Sequence, residues 1–129
     1  MDSGSKEKKN STMPVPKSVG IAKLHNHFKV KYEVDDGEAE ILVASSSKSL
    51  NEFLTAAESI LKKSGQRVSS KELQALLHRG KGLFLVMGQE EWALYVTALN
   101  VSEPDTIYDS IQKVMNHVRQ GFSDIIEMC

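Results

Sequence analysis

Residues 28–43, FKVKYEVDDGEAEILV, carry the most weight in any reading of this chain. Phe28, Val30, Tyr32 and Val34 alternate with Lys29, Lys31 and Glu33. That period of two is what a strand with one buried face shows. Asp36-Gly37 then offers the two positive-φ positions of a tight hairpin turn. On the return run Ala39, Ile41 and Val43 share one face. A turn at Asp36-Gly37 sets Tyr32 opposite Ile41 and Val30 opposite Val43, so both apolar sets fall on the same side. The segment is expected to be a β-hairpin.

Downstream, Ser49-Leu50-Asn51-Glu52 has the form of a capping box opening a helix. Leu50, Phe53, Leu54, Ala57, Ile60 and Leu61 follow at helical spacing, with Lys62 and Lys63 near the negative end and Gly65 as a left-handed stop. A second box at Ser69-Ser70-Lys71-Glu72 leads into Leu73, Leu76 and Leu77, and Gly80 is expected to end that helix. Leu83 to Met87 and Trp92 to Leu99 are nearly continuous apolar runs rich in β-favouring residues, which predicts a second hairpin across Gly88-Gln89-Glu90-Glu91. Ser102-Glu103-Pro104-Asp105 opens a last helix, with Ile107, Ile111, Val114, Val118 and Ile125 as its stripe and Gly121 interrupting it. The order ββα(α)ββα predicts an α+β domain. Two hairpin-plus-helix units would form one mainly antiparallel four-stranded sheet packed by helices.

Upstream, residues 1–20 hold Ser, Lys, Gly and two prolines with few large apolar side chains. Such a segment cannot bury enough surface to offset the entropy of ordering, so it is expected to be a disordered N-terminal tail. Residues 21–129 are then a single domain of ordinary size.

The net charge of −1 conceals segregation. Residues 1–31 carry a balance of +5, 32–61 of −6, 62–81 of +5 and 82–129 of −5. Clusters of one sign describe surface potential and partners rather than fold. The single cysteine, Cys129, excludes an internal disulfide and favours a reducing compartment. No apolar run approaches the roughly 18 residues of a bilayer span, and no signal-peptide core or lipidation motif is expected at either end. A cytoplasmic or nuclear protein with no membrane association is anticipated.

Catalytic and metal chemistry find little support in the sequence. His25 and His27 would share one side of an extended chain, but zinc needs three or four ligands and no matching motif follows. Cys129 has no fixed base beside it, and the serines form no nucleophile elbow. No cofactor is implied, and the chain is read as not an enzyme. The Ser45–Ser49 run, leading from a strand to a helix N-terminus, is a phosphate-cradle candidate that lacks the glycines of a P-loop. Two surfaces stand out as partner-binding. One is the basic segment of Lys62, Lys63, Arg67, Lys71, Arg79 and Lys81, suited to an acidic protein or to a nucleic-acid backbone. The other is the distal C-terminal helix, where Phe122, Ile125 and Ile126 would lie past the sheet unless a partner or a second copy of the chain covers them. The expected function is a non-catalytic protein–protein interaction module, an adaptor or complex subunit. Nucleic-acid binding is the alternative.

Overall fold

The computed structural model describes residues 15–62, 70–98 and 104–128. Every regular element among them is helical, and no strand occurs. We number the helices α1 (Ile21–Tyr32), α2 (Asp36–Lys62), α3 (Ser70–Val86), α4 (Glu90–Thr97), α5 (Pro104–Gly121) and α6 (Ser123–Ile126). The expected α+β sheet is therefore overturned in favour of a helical bundle.

The hairpin fails for a reason visible in the side chains. Leu24 and Phe28 are buried one turn apart, while Val30, at 70% exposure, points to solvent. A period of two over so few residues also contains helical spacings, and Leu24–Phe28 was the one that packed. Nor does Asp36-Gly37 make the turn. The chain reverses at Glu33, which adopts the left-handed conformation (φ 53°, ψ 47°). Asp35 then caps the next helix: its Oδ1 accepts the Glu38 amide at 2.8 Å, and its carbonyl accepts the Ala39 amide at 2.9 Å. Asp36 and Gly37 sit in the first turn of α2. There Lys29 reaches Asp36 at 2.7 Å, and its ammonium holds the Asp36 carboxyl below the usual carboxylate range.

Helix α2 runs for 27 residues, straight through the expected loop at Ser45–Ser49. Ser49-Glu52 is thus no N-terminus, because the preceding turn is already helical and the backbone amides have i−4 partners. The serines serve packing instead. Ser46 back-bonds to the Leu42 carbonyl at 3.0 Å. Ser47, fully buried, donates to the Ile125 carbonyl at 2.6 Å. Asn51 donates to the carbonyls of Ser47 at 3.0 Å and Ile126 at 3.2 Å. These bonds tie the carbonyls at the end of α6 to the middle of α2.

The second expected hairpin is also helical. Leu83–Val86 forms the last turn of α3, which runs past Gly80, Met87 follows it, and Trp92–Thr97 belongs to α4. The break between them survives: Gly88 has φ +73° and the His27 ring lies where a Cβ would stand. Near-continuous apolarity here reflects a short helix enclosed by others, with Trp92, Ala93, Tyr95 and Val96 buried and Leu94 outward.

Helix α2 is the axis of the bundle, packing against α1, α3, α5 and α6, while α4 packs on α3. The core centres on an aromatic cluster. Phe84 lies 5.4 Å from Phe122, 5.9 Å from Trp92 and 6.1 Å from Phe53 between ring centroids, and Trp92 lies 4.9 Å from Phe122. Gly121 makes this possible, since a Cβ there would stand 2.4 Å from Trp92 Cζ2. Residues 1–14 of the expected tail lie outside the described residues. Residues 15–20 run without helix along the bundle: Trp92 Nε1 donates to the Lys17 carbonyl at 3.1 Å, and the Val19 amide to the Gly121 carbonyl at 2.7 Å.

Candidate functional site

Helices α2 and α3 pack antiparallel, with their crossing registered by two contacts. Arg79 reaches Glu52 at 3.5 Å, and Gly80 lies against Phe53, whose Cε1 would be 2.8 Å from a Cβ on that glycine. The buried residues of α2 and α3 point from this seam into the core. On the outer side, α2 presents Ser45, Ser49, Glu52, Ala56 and Ser59. Facing them, α3 presents Glu72, Ala75, Arg79, Gly82 and Val86. Both stripes advance by alternating steps of three and four residues, the spacing that keeps one helix face turned toward a neighbour. With the register set at Glu52–Arg79, Ser49 falls opposite Gly82 and Ala56 opposite Ala75.

The surface along this seam is a trough with a deep and a shallow part. At the deep end Phe28 and Tyr32 of α1 join Leu42 of α2 and Leu83 and Val86 of α3 around a hollow of about 370 Å³. Ser45, Ser46 and Ser49 and the bare backbone of Gly82 complete it, and Arg79 closes one end. Tyr32 and Val86 are themselves half-exposed, as is Leu85 beside them in sequence. Beyond Arg79 a second hollow of about 300 Å³ lies among Ala56, Ser59, Ile60, Ala75 and Leu76. Arg79 borders both.

Gly82 is unlike Gly80 and Gly121, the helical glycines that face the core. A Cβ on Gly80 would strike Phe53 and one on Gly121 would strike Trp92, whereas a Cβ on Gly82 would meet nothing within 4 Å. A mid-helix glycine costs about 1 kcal/mol relative to alanine. Nothing inside the chain requires that cost at Gly82, and the space it leaves open belongs to the trough.

Of the residues expected to bind partners, Lys62, Lys71, Arg79 and Lys81 are exposed, the last three on α3. Lys63 and Arg67 lie outside the described residues. Only Arg79 of the basic set enters the trough. Phe122 and Ile125 are wholly buried and Ile126 is packed against the core, so these three have cover within the chain and do not form an outlying face. Gly121 does not carry the helix past the core; it brings Trp92 onto it. The signal that could have revealed the trough was the small-residue repeat Ser45-Ser49 and Ala56-Ser59 continuing into a long helix. It was hidden by reading 45–49 as a loop.

The remaining polar groups fall into structural roles. The paired histidines do not share a face in α1: His25 Nε2 lies 3.3 Å from the Asp36 carbonyl and His27 Nε2 3.3 Å from the Val86 carbonyl, at the end of α3. Tyr95 hydrogen-bonds His117 Nδ1, and burial raises its phenol above the ordinary value. Among the described residues no group of three or more His, Cys, Asp or Glu could hold a metal ion, and no helix is long and apolar enough to cross a membrane.

These features define a class by structure alone: a six-helix, strand-free domain, among the described residues, with an open seam between its second and third helices. No family model matches the chain, and no curated protein or solved structure matches it.

Proposed function

We propose that the chain is a non-catalytic protein–protein interaction module, an adaptor or subunit of a larger assembly, that receives its partner on the α2–α3 face. The observation that carries this reading is the apolar hollow between α1, α2 and α3. A hollow of this size, walled by aromatic and aliphatic side chains with one cation at its edge, fits the anchor pockets where binding energy concentrates. Of the exposed cations of α3 only Arg79 borders the hollow, and Lys71 and Lys81 lie elsewhere on the helix surface. The nucleic-acid alternative has less behind it. The trough offers one aromatic pair, Phe28 and Tyr32, at one end, where a single-strand binder presents a series of aromatics along a cationic track, and its one central cation already meets Glu52. A reducing compartment, cytoplasm or nucleus, suits a chain with one cysteine.

The test is co-purification from nuclease-treated extract with the tagged chain, compared with the Lys71→Glu, Arg79→Glu variant. A stoichiometric protein recovered by the wild type and lost by the variant is expected. Both substitutions lie on the surface and should move stability by only about 0.5 kcal/mol. Recovery that disappears with nuclease in the wild type would instead establish the nucleic-acid reading, and recovery unchanged by the variant would remove α3 from the contact.

A further inference from the structure

No further inference is drawn: the strongest candidate, the apolar hollow between α1, α2 and α3 with the half-exposed Tyr32 and Val86 in its wall, belongs to the site already described, and nothing in the structure shows what covers it.

Discussion

Replacing Phe122 with alanine distinguishes a core residue from an interface residue more sharply than any other single change. The ring is fully buried, 5.4 Å from Phe84 on α3 and 4.9 Å from Trp92 on α4. Burying such a side chain is worth about 1.5–3 kcal/mol in transfer alone, and each aromatic pair adds about 0.5–1.5 kcal/mol. A cavity term follows because the walls cannot close freely. Phe84 and Trp92 stand on helices joined only by Met87–Gln89, and Trp92 is also fixed through its indole N–H to the Lys17 carbonyl. The expected loss is therefore about 4 kcal/mol, within the usual range for Phe→Ala in a core. Against a typical total of about 5–15 kcal/mol, that leaves a marginal domain. Guanidinium denaturation measures it, followed by circular dichroism and by the fluorescence of Trp92, the sole tryptophan. The slope with denaturant should stay constant while the midpoint falls. A loss below about 1 kcal/mol, accompanied by a change in sedimentation, would refute the packing described here and return Phe122 to an interface.

Three further expectations use the same assays. Gly82→Ala should stabilise the domain by about 0.5–1 kcal/mol, since the methyl enters open space and the helix gains propensity; destabilisation would mean the site is filled. Ser47→Ala removes the 2.6 Å donor to the Ile125 carbonyl, which keeps the Met128 amide at 3.2 Å, and should cost about 0.5–1.5 kcal/mol, seen as a lowered denaturation midpoint; a neutral result would mean that α6 is not tied to α2. Tyr95 has a folded-state pKa raised by burial, so its contribution is fully present below the unfolded value of 10.0 and is lost as pH rises through the folded pKa. Tyr95→Phe should therefore flatten the fall in stability at alkaline pH, and an unchanged profile in denaturation at pH 9 to 11 would contradict the assignment.

The candidate site was legible only in fragments. Lys71, Arg79 and Lys81 were singled out by charge, and the Ser45–Ser49 run by composition, yet neither pointed to the other. Glu52 and Arg79 are distant in sequence, and only packing of two antiparallel helices makes them neighbours across a trough. Phe122 and Ile125 were expected to lie past the core and to need a partner's cover, yet they are buried within the chain. Their cover comes from Phe84, Trp92 and the middle of α2, none of which local sequence places nearby.

What the chain's local sequence determined was the break at Gly88 and the start of a helix at Pro104, each of which rests on backbone rules that act over a few residues. The reversal at Glu33 and the uninterrupted courses of α2 past Ser49 and α3 past Gly80 were not among them. What local sequence left open was element type in the short apolar runs. Phe28–Val34 holds both a period of two and a helical i, i+4 pair, and Leu83–Met87 holds no period at all. Such runs cost little to place in either backbone conformation. The choice went to the helix because tertiary packing lets Leu24, Phe28, Phe84 and Met87 all reach one core along α2. In the expected sheet, Val30 and Ile41 would have been buried. In the bundle they are, among the described residues, the most exposed large apolar side chains, at 70% and 68%. Burial of a whole face outweighed the local preference of Asp36-Gly37 for a turn, and the same packing opened the trough.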